Sequence, residues 1–455
     1  MKKRVLLISY HFYPDRAVGA KRTTQLAESL QNEGWIVETI TRKLTQPEEA
    51  KRQSTESYGT VYSLYQHPGI VDPLWRKIKG SGNHPSDNDY PADSGAEPTN
   101  PDSGKDAEVS ESLLQKSKRY LFSLQALLDA NKSWLFLSFL YLVYLRLRGQ
   151  QYDLVISSSP PASVHLVGLL AKAIFGCKWI ADVRDPLNLW HEVSPGSNSM
   201  MREKIEAWLE DTYYKHADAL VVTTNPLKDR ISEDIPRASE KVNLIYNGYD
   251  GIRVEERPRT DGGVKMVFAG SLYMNRNPFP LFKAIKRLGE STDDISQNVR
   301  LDLYGDCQYW NGHDLSKWIT ENNLEGKIQI HSFVDSENLE KILSGAHILV
   351  NFAQNQPLQI PAKTFEYLRY PAISLAITDS DSAVSRLMSD HGLGVNSENS
   401  EDKLLDAIRI AIRKFDERDG SENSLEEFSR NHQNSKYLEL ATNLSPTSRE
   451  ANCGS

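Results

Sequence analysis

Ten short runs of apolar and β-branched residues recur along this chain. VLLISY, WIVETIT, DLVISSS, CKWIADV and ALVVTT lie in the first half, and KMVFAG, VRLDLYG, IQIHSF, HILVNF and AISLAIT in the second. Helical stretches such as AKRTTQLAESLQNEG, NPFPLFKAIKRLGE and DSENLEKILSGA alternate with them. A strand that is apolar on both faces must be covered on both, and an intervening helix returns the chain to begin a parallel neighbour. Gly34 is placed to end the first helix before WIVETIT, which completes one βαβ unit. The pattern predicts an α/β chain with doubly wound parallel sheets, and the lack of a short-period repeat excludes a solenoid.

A length of 455 residues exceeds what one hydrophobic core holds, so two Rossmann-like domains facing across a cleft are expected. Residues 1–255 form the first, with a Pro-, Gly-, Ser- and Asp-rich insert at about 80–110 that reads as disordered. Residues 256–425 form the second, and 426–455 read as a closing helix and tail that returns to the first domain. A hydrophobic fraction of 39% with 25% charged residues is ordinary for a soluble globular protein. The net charge of −8 argues against a nucleic-acid partner, which would demand a basic stripe. Cys177, Cys307 and Cys453 are too scattered for a disulfide framework or a zinc site and suit a reducing, cytoplasmic compartment. The opening MKKRVLLISYHFYP reads as a buried first strand rather than a signal peptide, and WLFLSFLYLVYL at 134–145 is too short to span a bilayer.

Ligands of doubly wound folds collect at the carboxyl ends of strands, and polar residues cluster there. The first βα turn, ISYHFYPDRAVGAKR, has Gly19 but no GxGxxG, and the chain has no Walker GKS or GKT, which disfavours a standard dinucleotide or P-loop site. Gly19 ahead of a helix serves either as a turn device or to open backbone N–H groups to an anion. IADVRDPLNLW puts Asp182, Arg184 and Asp185 at one strand end, as an ion pair with helix capping or as catalytic groups. His165, on an apolar helix face, reads as core. FAGSLYMNRNP puts Gly270, Ser271 and Arg276 at another strand end. In QIPAKTFEYLRYPAISLA, Lys363 and Glu366 share a helical face behind Pro361, a spacing that by itself reads equally as a surface ion pair at i, i+3.

In this order, YHFYPDRAVGAKRTTQLAESLQNEGWIVETIT, SSSPPASVHL, ADVRDPLNLW, LIYNGYD, FAGSLYMNRNP and IPAKTFEYLRYPAISLA resemble the retaining GT-B-fold glycosyltransferases of family 4. The resemblance runs from about residue 4 to about 440 and is nearest to enzymes of surface-polysaccharide and lipid-linked glycan assembly. It implies transfer of a sugar from a nucleoside-diphosphate sugar, UDP- or GDP-linked, to an acceptor, with retention and without a metal or other cofactor. Family members hold the donor diphosphate with an Arg and a Lys after the first strand of the second domain. Here Arg276 stands at the Lys position and Ser271 at the Arg position. The family's two glutamates, eight residues apart, fall on Leu358 and Glu366, so only the ribose-binding one is present. The implied donor set is Gly19, Gly270, Ser271, Arg276, Lys363, Thr364 and Glu366, with Lys363 supplying the cation that Ser271 lacks. The implied catalytic set is Asp185, with Asp182 and Arg184.

The segment 116–148 mixes Lys and Arg with aromatic residues and leucines, which suits either an anionic membrane surface and a lipid-linked acceptor or a buried helix with solvated ends. Two further functions share this fold. A nucleotide-sugar epimerase would need no acceptor, and a noncatalytic sugar-nucleotide-binding protein is favoured by Ser271 and Leu358.

Overall fold

The structure is a computed structural model that describes residues 2–15, 17–44, 57–64, 132–185, 200–254, 263–273, 276–290, 298–417 and 425–445. The insert expected at about 80–110 lies outside the described residues. The chain divides into two compact units, one of residues 1–221 with 438–455 and one of residues 222–437.

The first part of the chain runs β1 (Arg4–Ser9), α1 (Val18–Asn32), β2 (Ile36–Arg42), β3 (Thr60–Leu64), α2 (Lys132–Leu147), β4 (Leu154–Ser158), α3 (Ser163–Phe175), β5 (Lys178–Val183), α4 (Met200–His216), β6 (Ala219–Val222), α5 (Asn225–Asp234) and β7 (Val242–Leu244). The sheet order is β3-β2-β1-β4-β5-β6-β7, with parallel pairing from β3 to β5. The β1 and β4 strands are buried nearly end to end, as their apolar runs require. Between α1 and β2, Gly34 adopts a φ of +84° and donates to Gln31 O, the left-handed exit that glycine tolerates without strain.

The second part runs β8 (Val264–Ala269), α6 (Phe279–Gly289), β9 (Val299–Tyr304), the hairpin β10 (Tyr309–Trp310) and β11 (His313–Asp314), α7 (Leu315–Glu321), β12 (Ile328–His331), α8 (Ser336–Ser344), β13 (Ile348–Phe352), α9 (Ala362–Glu366), β14 (Ile373–Ile377), α10 (Ala383–His391), β15 (Val395–Ser397), α11 (Glu401–Asp416) and α12 (Arg430–Leu444). The six strands of its main sheet are all parallel, in the order β12-β9-β8-β13-β14-β15. On α11, Leu404, Leu405, Ile408, Ala411, Ile412 and Phe415 follow the helical period and join the core beneath this sheet. Glu401 and Asp402 open α11 and Arg413 and Lys414 close it, complementing its dipole, and Arg287 of α6 pairs with both acids.

Each sheet has one place where the chain reverses its direction of winding. In the first it lies between β1 and β4, and in the second between β8 and β13. The loops leaving those strands diverge, opening a crevice at the carboxyl edge in which such folds bind ligands.

The run at 134–145 is the body of α2, which buries one face and leaves the other exposed. Trp134, Ser138, Leu142 and Leu145 are buried, whereas Phe136, Phe139, Leu140, Tyr144 and Leu147 are exposed. No helix among the described residues is long and apolar enough to cross a membrane.

Candidate functional site

In the second sheet, the β8 strand ends at Ala269 and turns at once through Gly270, whose φ is +151°. A Cβ at this position would lie 1.8 Å from Lys363 Nζ, so the absence of a side chain lets the α9 lysine reach over the end of the strand. Gly305, at the end of β9 with a φ of +115°, plays the matching part: a Cβ there would come within 2.4 Å of the Gly270 carbonyl. Lys363 Nζ also stands 4.8 Å from the ring centre of Phe268.

Lys363 and Glu366 do not form the i, i+3 pair that their spacing allows. Glu366 is exposed, Lys363 is half-buried, and no carboxylate among the described residues ion-pairs with Lys363. Burial lowers the Lys363 ammonium to about 8, and the charge of Arg276 adds to the effect. Arg276 donates from Nη1 to Ser271 O at 3.0 Å and lies 4.2 Å from the ring centre of Tyr273. It too has no carboxylate partner among the described residues. Glu366 offsets part of the repulsion from Arg276 at Lys363 without pairing with it, so two neighbouring cations at a switch point favour the arrival of an anion. Cys307, whose thiol donates to Gly270 O and is pushed up to about 12 by burial, closes the floor.

Thr364, expected in the donor set, is 1% exposed, and its hydroxyl accepts from Asn351 Nδ2 of β13 at 2.9 Å. It anchors α9 to the sheet. The Thr364 N–H donates to Pro361 O, so this five-residue helix begins with a closed turn rather than with a row of open donors. Leu358, at the position of the family's first glutamate, is buried, and its carbonyl accepts from Thr224 Oγ1 at 2.8 Å. On the other side of β8, Tyr304 and His331 at the ends of β9 and β12 stack face to face at 4.4 Å and 13°. Neither was singled out in the sequence, because only the register of β9 on β12 makes them neighbours.

In the first sheet, the three residues of IADVRD separate. Asp182 is fully buried. Arg22 holds it with two bonds of 3.1 Å, from Nε to Oδ2 and from Nη2 to Oδ1, and Ser158 Oγ donates to Oδ2 at 2.7 Å. Burial alone would raise this carboxyl, but the guanidinium of Arg22 and then that of Arg184 bring it below its ordinary value. A carboxylate so enclosed positions its neighbours and does not meet a substrate. Arg184 lies across the switch point: its Nε donates to Ser159 O beyond β4, and its Nη1 donates to Gly19 O at 3.2 Å. A Cβ on Gly19 would lie 2.9 Å from Arg184 Nη2, so Gly19 is the space into which this guanidinium fits. Asp185 is partly exposed at the end of the described loop.

Sequence reasoning passed over Arg22. The available signal was its position one turn after Gly19 on α1, which puts both on one helix face. His165 behaves as expected of a core residue. Its Nδ1 is 2.9 Å from Ser157 Oγ, Tyr213 packs on its ring, and burial lowers it to about 3.

Residues 92–248 match the model of the glycosyl transferase 4-like domain. No curated protein matches the chain. Among solved structures, sucrose-phosphate synthase from Thermosynechococcus elongatus is similar with a TM-score of 0.60 at 15% identity, covering 97% of this chain and 99% of that one. The catalytic domain of starch synthase IV from Arabidopsis thaliana, bound to ADP and acarbose, aligns with a TM-score of 0.58 at 11% identity over 98% of this chain and 100% of its own. Anabaena HepE in complex with UDP gives 0.54 at 13% identity, over 97% and 100%. At these identities the likeness is one of fold, and the fold is that of the GT-B glycosyltransferases.

Proposed function

We propose that this chain, which matches the glycosyl transferase 4-like domain over residues 92–248 and has a GT-B-type α/β fold, is a glycosyltransferase that moves a sugar from a nucleoside-diphosphate sugar to a glycan or lipid-linked acceptor, with retention and without a metal. The observation that carries the reading is the pair Lys363 and Arg276, two neighbouring cations at the end of β8 with no carboxylate ion-paired to either among the described residues. As the glycosidic bond breaks, negative charge grows on the departing diphosphate, and fixed cations stabilise it more in the transition state than in the ground state. Arg276, held by the Ser271 carbonyl and Tyr273, is preorganised for this, and Lys363 supplies the second charge. Glu366, exposed one turn further along, takes the ribose hydroxyls.

In the first unit, Arg184 and Asp185 orient the acceptor, and Asp182 with Arg22 fixes Arg184. Attack on the same face, with the leaving phosphate taking the acceptor proton, gives retention without a dedicated base. UDP is the favoured nucleotide, because HepE of similar fold binds UDP, although starch synthase IV binds ADP. GDP is the next choice.

The lipid-linked acceptor and a cytoplasmic-face membrane contact rest on α2. Its outer face exposes Phe136, Leu140, Tyr144 and Leu147, Arg146 and Arg148 stand exposed at its end, and no acid occurs from 132 to 148. An apolar and aromatic stripe flanked by arginines is complementary to an anionic bilayer surface.

Thermal shift with UDP, GDP, ADP, dTDP and CMP against wild type, Lys363→Ala and Glu366→Ala tests the donor site. One nucleotide is expected to stabilise wild type and to lose its effect in both variants. No shift with any nucleotide, or shifts that survive both substitutions, would overturn the assignment. Nucleoside diphosphate released only when acceptor is added separates transfer from epimerisation and from noncatalytic binding.

A further inference from the structure

Gln354 stands two residues beyond β13, in one of the two loops that bound the switch point of the second sheet. It is 8% exposed, and among the described residues neither its Nε2 nor its Oε1 has a hydrogen-bond partner. Buried side-chain amides are ordinarily satisfied, so an orphaned one at a ligand crevice calls for a reason. The loop does not need the amide to hold its shape. Ala353 N donates to Ile377 O, Thr378 Oγ1 donates to Ala353 O, and Asn355, in the left-handed region at φ +55°, donates its N–H to Asp379 Oδ2 at 2.8 Å. An apolar side chain of similar volume would fill the same space without an unmet polar group.

What would satisfy Gln354 must both donate and accept, since a primary amide offers two N–H groups and a carbonyl oxygen. A diphosphate only accepts, and Lys363 and Arg276 already suit it. A nucleobase is a flat ring, and the flat pair Tyr304 and His331 lies on the β9 and β12 side of β8, away from β13. A donor whose diphosphate occupies the end of β8 with its base toward that pair leaves its sugar on the β13 side. Resting on the donor site proposed above, we infer that Gln354 is a specificity-determining residue that exchanges hydrogen bonds with a hydroxyl of the transferred sugar.

The test is calorimetric titration of the full chain with UDP and with UDP-glucose, for wild type, Gln354→Leu and Gln354→Met, together with melting temperatures. GDP and GDP-mannose replace them if the nucleotide panel selects guanine. Both variants are expected to bind the diphosphate within twofold of wild type, to melt no lower, and to bind the nucleotide sugar roughly tenfold more weakly, the loss of one or two hydrogen bonds. With acceptor present, kcat/KM should fall by a similar factor. Equal weakening of the diphosphate and the sugar nucleotide would mean that Gln354 meets the nucleotide, and would overturn the inference. So would unchanged affinity for both, or a melting temperature several degrees lower in both variants, which would mark a structural amide. If wild type binds no nucleotide of the panel, the donor site itself fails and this inference falls with it.

Discussion

Lys363 and Asp182 are the two residues whose neighbours changed their reading most, and in opposite directions. A lysine spaced for a surface ion pair worth about 0.2–0.5 kcal/mol turns out to reach over a glycine and to share its surroundings with a second cation. Because burial lowers its ammonium to about 8, its charge should be lost over an accessible range. Nucleoside-diphosphate affinity is expected to be level below about pH 7 and to weaken above about pH 8 as Lys363 deprotonates. Titration calorimetry across that range checks this, and in Lys363→Arg the weakening should vanish. Gly270→Ala should resemble Lys363→Ala, costing roughly 1.5–3 kcal/mol of diphosphate binding, because the new methyl group displaces the ammonium. Asp182, by contrast, is withdrawn from chemistry by Arg22. Asp182→Asn would break the buried ion pair with Arg22, and urea midpoints should report a loss of about 3–5 kcal/mol.

At the scale of elements, the site is made by loops that strands deliver rather than by any helix as such. The α9 helix is only five residues long, and its first turn is closed by Thr364 N–H on Pro361 O, so its worth lies in pinning Lys363 through Thr364 to Asn351 of β13. The α2 helix shows the converse, an element whose outer face is unmatched while Trp134 and Leu142 bury the inner one. If that outer face meets anionic lipid, replacing Phe136 and Leu140 together with serine should reduce co-sedimentation with phosphatidylglycerol vesicles at least several-fold. Binding to neutral vesicles should be weak for both proteins, and turnover of a water-soluble acceptor should be unaffected. Equal sedimentation of variant and wild type would remove the membrane contact.

Across the whole molecule, acid stability should carry the mark of the buried histidine. His165 in the fold stays neutral down to about 3, whereas an unfolded histidine protonates near 6.5, so between these values the unfolded chain binds more protons. Stability should therefore fall as pH drops below about 6.5, by up to roughly 1.4 kcal/mol per pH unit from this group. Urea midpoints from pH 7 to pH 4 measure the slope, and His165→Gln should flatten it whatever its absolute stability. The depressed carboxyl of Asp182 contributes stability that is complete above the ordinary aspartate range, near 3.9, and is lost as pH falls through its lower folded value. The two effects occupy different windows.

The ten strands and their alternation with helices could be read from the chain because a strand buried on both faces must be apolar along its length, and this is a local property. The strand-end residues Gly270, Ser271 and Arg276, and Asp182, Arg184 and Asp185, were legible for the same reason, since the strand that ends fixes where the loop begins, whereas Lys363 joined the first group only through the family resemblance. Partnership was not legible. Arg22 meets Asp182 from 160 positions away in the chain, Gly19 makes room for Arg184 from the first turn of α1, and Tyr304 stacks on His331 only through the register of β9 on β12. Nor could spacing tell that Thr364 would turn into the sheet, or that Gln354 would be buried without a partner. Periodicity determined which residues are inside and which strand ends carry polar groups. Strand order and register decided which charges neutralise one another and which are left for a ligand, because Coulomb and hydrogen-bond energies depend on distances that the chain alone does not specify.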